Sequence, residues 1–299
     1  MQGEILQESN PKNIKLNDDL SSDELCNMAL DNLLNLTGLD NVKKEVMKLA
    51  HYLKFLKKVE GKITLDKLNL HMVFKGNPGT GKTTVARIMA NILYYLGYLS
   101  SDKIIEVTPS DFIAGYVGQT AIKTRKLLNK FRGGLIFIDE AYSFINGSDE
   151  SSCSFAGEAI TEIIKEMESK ETIFIFAGYG DEMEEFINLN PGIRSRVGYY
   201  ISFDDYTEEE LYNIFLSKLS NTGFSIYDDA SCEIKKIIGI KMREKNFGNG
   251  RMIDNLYNKL LLEHAMINSD EVSDEKLLTI SKEAALNIEC KNMKGVCSE

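Results

Sequence analysis

Gly76-Asn77-Pro78-Gly79-Thr80-Gly81-Lys82-Thr83 fits the pattern GxxxxGK[ST], and the rest of the chain is read outward from it. Its glycines let backbone N–H groups close around phosphate oxygens, where side chains would obstruct them. Lys82 then stands against the β- and γ-phosphates of a nucleotide, and the Thr83 hydroxyl against its Mg²⁺. The motif carries this meaning only between a strand and a helix. An apolar run over 70–75 precedes it, and Val85, Ile88, Met89, Ile92, Leu93 and Leu96 follow at helical spacing. A helix that starts here aims the positive end of its dipole at the anion. Gly76 through Thr84 are therefore the candidate nucleotide-binding residues.

Strands and helices alternate on the C-terminal side. The pattern predicts strands at 104–107, 135–138, 172–176 and 199–203, and a basic amphipathic helix over 121–131. A further helix carries Ile160, Ile163, Ile164 and Met167. Short apolar strands separated by helices make an α/β fold with a parallel sheet covered on both faces. Upstream, 1–20 reads as a mobile polar tail. Ser22 is placed to cap a helix from about Asp23, with Leu25, Met28 and Leu33 inward. A second helix after Gly38 carries Val42, Val46, Leu49 and Leu53 on one face. After Asp205 the character changes. Thr207-Glu208-Glu209-Glu210 is a capping box, and helices are expected near 230–243, 251–268 and 273–288 with no strand between them. The expected division is 1–34 (tail and short helix), 35–205 (α/β nucleotide-binding domain) and 206–299 (a small all-α lid).

Leu135-Ile136-Phe137-Ile138-Asp139-Glu140 supplies the second piece of chemistry. An apolar strand ending in two carboxylates delivers both to the sheet's carboxyl edge, where ligands bind in such folds. Asp139 is the candidate second metal residue beside Thr83, acting through water. Glu140 is the candidate base that orients or deprotonates an attacking water.

These motifs and their spacing resemble the AAA+ superfamily, and within it the CbbX and stage V sporulation protein K family. The strings that carry the likeness are 71–86, Asp139-Glu140-Ala141-Tyr142, Phe176-Ala177-Gly178-Tyr179 and Asn190-Pro191-Gly192-Ile193-Arg194-Ser195-Arg196. The resemblance runs from about Leu36 to Ala265. It implies a five-stranded sheet, ATP with Mg²⁺, and a homo-oligomer, a hexamer. It also implies that Arg196 acts as an arginine finger on the γ-phosphate of a neighbouring subunit, with Arg194 as a second contributor. A planar, permanent cation suits charge spread over a transferring phosphoryl group. Arg251 in Gly248-Asn249-Gly250-Arg251 resembles sensor 2, a link from lid to nucleotide. Sensor 1 has no clear equivalent, because the fourth strand leads into Gly178-Tyr179. Tyr116, Val117 and Gly118 resemble the pore loop of protein-threading rings. A plainer alternative for Tyr116 is a tyrosine packing a turn. Within the similar family some members reactivate Rubisco and others are associated with sporulation; the Asn-, Lys- and Ile-rich composition leans toward an AT-rich genome and the second group.

Composition narrows the partners. A net charge of −10 and a pI near 5.1 disfavour binding to nucleic-acid phosphates. No run approaches the roughly 18 to 20 apolar residues that span a bilayer, and the first twenty-five residues lack a signal-peptide layout. A cytoplasmic protein without a membrane partner is expected. Cys26, Cys153, Cys232, Cys290 and Cys297 are scattered without CxxC pairing, as befits reduced thiols. His71 is expected to be packed rather than catalytic, and His51 and His264 have no partners at metal-ligand spacing. Together with the motifs, the resemblance implies an ATP hydrolase that remodels a protein partner. The alternatives are a nucleotide-dependent scaffold with little turnover and a DNA-acting relative.

Overall fold

The structure, a computed structural model, describes residues 20–60, 68–116, 118–145, 150–244, 247–269 and 273–288, with 150–154 described by backbone alone. The expected N-terminal tail and Val117 lie outside the described residues. The chain forms two units. One holds the chain up to Gly76 together with Gly81–Phe203; the other holds Asn77–Thr80 and the chain from Asp204 onward.

The first unit is built on a sheet. Its elements in chain order are α1 (Ser22–Leu34), α2 (Asp40–Val59), β1 (His71–Gly76), α3 (Lys82–Tyr95), β2 (Ile104–Val107), α4 (Pro109–Phe112), α5 (Thr120–Lys130) and β3 (Leu135–Ile138). Then follow a 3₁₀ turn (Ala141–Phe144), α6 (Glu150–Ser169), β4 (Ile173–Gly178), α7 (Gly180–Leu189), α8 (Pro191–Arg194) and β5 (Val197–Phe203). The strands lie in the order β2-β3-β4-β1-β5, every pairing parallel. β3 and β4 are buried along their whole length because they sit inside the sheet with helices on both faces. β2 and β5 are edges and can afford Glu106 and exposed Tyr200. Phe112, Ile136, Ile138, Ile163, Phe174, Phe176 and Phe186 form the centre of the core.

Two local expectations need correction. The cap of α1 is Ser21, not Ser22, and it makes the full reciprocal capping box with Glu24. This register buries Cys26, Ala29, Leu30 and Leu33 against α3 and leaves Met28 exposed. Residues 26, 30 and 33 keep one face of a 3.6-residue repeat, which Met28 leaves.

His71 is packed, as expected, with 1% of its surface exposed. Its Nδ1 accepts the Phe174 N–H at 3.2 Å, so Nε2–H donates to the Met167 carbonyl at 3.0 Å. Burial pulls its pKa from the ordinary imidazole value down to about 4; the Met167 carbonyl opposes this, and Lys170 and Arg196 reinforce it. The unfolded chain therefore takes up a proton near pH 6.5 while the folded chain waits until about pH 4. Stability from the neutral ring is complete above pH 6.5 and is lost as pH falls from there toward 4. Between pH 7 and pH 5 the loss amounts to about 2 kcal/mol. Urea unfolding across this range should show that slope in the wild type and a flatter one in His71→Gln. Equal slopes would reject the buried neutral imidazole.

The second unit is helical. It contains α9 (Glu208–Asn221), β6 (Ser225–Ile226), α10 (Asp228–Lys241), α11 (Asn249–Ile267), α12 (Asp274–Leu278), β7 (Thr279–Ile280) and α13 over 282–288. The Thr207–Glu210 capping box starts α9 as read from the sequence. The helix expected over 273–288 is broken by β7, which pairs in parallel with β6. Thr279 and Ile280 are β-branched and favour extended backbone, Ile280 is fully buried, and Ser281 caps the next helix through the Ala284 N–H. His264 is buried and bonded to the Leu277 carbonyl and Asn268. No cluster suited to a metal ion occurs among the described residues.

Candidate nucleotide-binding site

Strand β1 leaves the sheet at Gly76, and the phosphate-loop motif runs from there into α3. Gly81 precedes α3 without offering a side-chain cap, and the first turn of α3 carries no acidic residue. A helix start of this kind keeps its N–H groups and its dipole for an outside anion. Lys82 folds back so that Nζ donates to the Gly76 carbonyl at 2.8 Å. The Thr83 hydroxyl donates to Glu106 Oε1 at 3.2 Å, and Arg87 lies 3.7 Å from the same carboxylate. Thr84 is exposed.

Residues Asn77–Thr80 pack with the helical unit. Gly79 has φ +74°, and a Cβ there would stand 2.2 Å from the Gly248 carbonyl oxygen and 2.9 Å from the Arg251 nitrogen. Only glycine fits this approach. The Gly250 N–H donates to the Gly79 carbonyl at 3.0 Å. α11 begins at Asn249, two residues earlier than expected, and places exposed Arg251 in its first turn.

Asp139 and Glu140 follow β3 at the carboxyl edge of the sheet, the edge from which Gly76 also leaves, with β4 between them. Asp139 is half-buried; its N–H donates to the Val107 carbonyl at 2.8 Å, and its carboxylate accepts the Glu140 N–H at 3.0 Å. Glu140 is exposed and left-handed, with φ 50° and ψ 39°. For a residue with a Cβ that conformation costs about 1–2 kcal/mol, and such outliers gather at functional sites. A Cβ on Gly178 would stand 2.7 Å from the Tyr142 ring and 2.8 Å from the Met183 sulfur. Tyr142 packs here 5.6 Å from the Tyr179 ring. Burial first, then Glu140 and neighbouring acidic groups, push the Tyr142 hydroxyl up to about 12.

The two candidate arginines lie at the end of α8. Arg196 pairs with Glu168 and donates from Nη1 to the Gly192 carbonyl at 2.8 Å and the Ser195 hydroxyl at 3.2 Å. Arg194 is exposed and donates to Asn188 Oδ1 at 3.3 Å. On the loop between α4 and α5, Tyr116 is 73% exposed and Gly118 has φ +77°. The base of that loop is tied down. Lys123 Nζ donates to the Ser110 and Ile113 carbonyls, Thr124 to the Phe112 carbonyl, and the Ala114 N–H to Thr120. The turn-packing alternative for Tyr116 does not fit this exposure.

Sequence reasoning missed Glu106, Glu168, Asp205 and Asn249. Each acts through a partner distant in the chain, and no local spacing announces it.

Residues 72–204 match the family model described as "ATPase family associated with various cellular activities (AAA)", and residues 207–284 match the AAA lid domain. Stage V sporulation protein K of Bacillus subtilis is 36% identical over 83% of this chain and 79% of its own length. Protein CbbX of Cereibacter sphaeroides is 37% identical over 77% of this chain and 75% of its own. The chloroplastic ribulose bisphosphate carboxylase/oxygenase activase of Cyanidioschyzon merolae is 38% identical over 79% and 82% respectively. Among solved structures, a Thermotoga maritima RuvB mutant aligns with TM-score 0.57 and 22% identity over 91% of this chain and 73% of that one. The FIGL-1 AAA domain in complex with ADP aligns with TM-score 0.56 and 17% identity over 85% and 81%. These two show the fold alone. Among the described residues no helix is long and apolar enough to cross a membrane. The chain belongs to the AAA ATPase family, with the AAA lid domain and with stage V sporulation protein K and CbbX among its relatives, and it is an ATP-hydrolysing enzyme.

Proposed function

We propose that the chain is a cytoplasmic, ring-forming Mg-ATPase, a hexamer, that remodels a protein partner through a central pore. Residues 35–205 are its nucleotide-binding domain and 206–299 its lid, after a leading segment, 1–34. The observation that carries the reading is the placement of GxxxxGK[ST] at a strand-to-helix turn, with Asp139 and Glu140 on the same sheet edge.

Gly76–Thr84 hold the phosphates through their backbone N–H groups, which all but Pro78 possess, and through the Lys82 ammonium, a role the glycine at 79 and the uncapped start of α3 fit. The Thr83 hydroxyl and Asp139 hold Mg²⁺, an ion that neutralises charge on the transferring phosphoryl group. Glu140 orients the attacking water and takes its proton. Arg196, assisted by Arg194, reaches the γ-phosphate on the next subunit, and Arg251 links the lid to the nucleotide. A partner that is itself a protein agrees with one relative being named an activase of another enzyme. A place in sporulation agrees with the name of another.

The test is ATP turnover per subunit in Mg²⁺ as protein concentration rises. A site completed by two subunits gives specific activity that climbs and then levels off. A substantial rate from a chain that stays monomeric rejects the ring.

Tyr116, Val117 and Gly118 are the residues that grip the partner; the flat amphipathic ring of a tyrosine suits chains of varied sequence. Polypeptides that raise wild-type turnover should fail to raise that of Tyr116→Ala. Its unstimulated rate should stay near that of wild type, because the exposed ring lies outside the phosphate loop and the Asp139–Glu140 edge. Full stimulation of that variant removes the pore loop from the account.

A further inference from the structure

Four consecutive carbonyls in the phosphate loop are each occupied, three of them by groups of Tyr206, Asn249 and Gly250. The Asn77 carbonyl accepts the Thr80 hydroxyl at 2.8 Å, and the Pro78 carbonyl accepts Asn249 Nδ2 at 3.4 Å. The Gly79 carbonyl accepts the Gly250 N–H at 3.0 Å, and the Thr80 carbonyl accepts the Tyr206 hydroxyl at 3.3 Å. Among the described residues no peptide bond is cis. In a planar trans peptide a carbonyl and the next residue's N–H point in opposite directions. Fixing the carbonyls of Pro78, Gly79 and Thr80 toward these partners therefore turns the N–H groups of Gly79, Thr80 and Gly81 the other way. Those are groups that a phosphate-binding loop presents to its anion.

The partners are held as firmly as the loop. Asn249 is only 1% exposed and left-handed, with φ 48°, a conformation asparagine tolerates better than most residues. Its Oδ1 accepts the Tyr206 N–H at 3.0 Å, and its Nδ2 also donates to Asp205 Oδ1 at 2.7 Å. Asp205 in turn accepts Asn77 Nδ2 on both oxygens at 3.0 Å. Tyr206 is buried, and burial pushes its hydroxyl up to about 12, so it remains a donor. An amide between a carboxylate, a carbonyl and an N–H needs both a donor and an acceptor, which Asn supplies and Asp does not.

We propose that Asn249 and Tyr206 are positioning residues for nucleotide binding: they set the peptide orientations of Pro78 through Thr80, and so the direction in which the Gly79, Thr80 and Gly81 N–H groups face. This rests on the nucleotide-site reading above.

The experiment titrates a fluorescent ADP analogue against full-length protein, below the unfolding temperature of each variant. Asn249→Asp sets a carboxylate against Asp205 and removes the donor to Pro78; its Kd should rise about tenfold or more at unchanged stoichiometry. Adding Asp205→Asn relieves the clash of carboxylates but restores no donor to the Pro78 carbonyl, so it should recover only part of that loss. Tyr206→Phe removes one neutral hydrogen bond and should weaken binding about two- to tenfold. A residue that merely supports the fold would lower the unfolding temperature and leave Kd unchanged below it, and that result overturns the proposal. So does a second substitution that restores the whole of the affinity, which would trace the loss to the paired carboxylates and not to the Pro78 carbonyl. Should Asn249→Asp not fold, Tyr206→Phe decides alone, and an unchanged Kd there also overturns it. Failure of the wild type to bind ADP would instead reject the underlying site.

Discussion

Glu140→Gln is expected to bind nucleotide as the wild type does and to hydrolyse ATP about 10²- to 10⁴-fold more slowly, the usual worth of a positioned general base. The substitution keeps side-chain length and places no new demand on the left-handed backbone at this position. It removes only the capacity to accept a proton. Strand β3 is wholly buried and delivers residue 140 to the sheet edge whatever its charge, so the fold should be untouched. Lys82→Ala should fail earlier in the cycle. The ammonium that now meets the Gly76 carbonyl would be missing from the phosphates, a loss of about 2–5 kcal/mol or roughly 30- to 5,000-fold in Kd. Nucleotide titration and phosphate release, measured on both variants, separate the two roles. Normal hydrolysis by Glu140→Gln would show that another group serves as base, and normal binding by Lys82→Ala would remove the phosphate-loop reading altogether.

The parts of the fold that were legible are those where burial alone dictates the residue type. β3 is four apolar residues, and its observed span is the expected one, because an interior strand of a parallel sheet has no solvent face to encode. α9 was legible from its capping box, a signal contained in four residues. α7 went unread: Met183, Phe186 and Ile187 are its buried face, but ten residues hold too few repeats to declare a period. The break in 273–288 was hidden for a different reason. Two β-branched residues are too short a signal to declare a strand, and pairing with β6, some fifty residues earlier in the chain, completes it. At the site the same division holds. Contiguous motifs declared Gly76–Thr84, Asp139 and Glu140. Asn249 and Asp205 emerged only when residues 77, 205 and 249 were seen to share hydrogen bonds.

Arg196→Ala is expected to lower turnover by about 10³- to 10⁵-fold, the range known for arginines that stabilise phosphoryl transfer from a second subunit. In the single chain Arg196 is occupied by Glu168 and the Gly192 carbonyl. Pairs at a surface such as this one contribute about 0–1 kcal/mol, so a triphosphate next door can take the guanidinium at little cost. Arg194 is exposed and held by one long bond to Asn188, and Arg194→Ala should cost less. The decisive measurement mixes Arg196→Ala, whose phosphate loop is intact, with Lys82→Ala, whose arginine is intact. Each is inactive alone. If the arginine acts across a head-to-tail interface, a random equal mixture restores about a quarter of the sites, those pairing an intact loop with an intact finger. An arginine acting within its own chain would leave every mixture dead, since no subunit carries both groups. Full turnover in Arg196→Ala beside an inactive Arg194→Ala would transfer the role to Arg194, and the same mixing test would then be run on that residue.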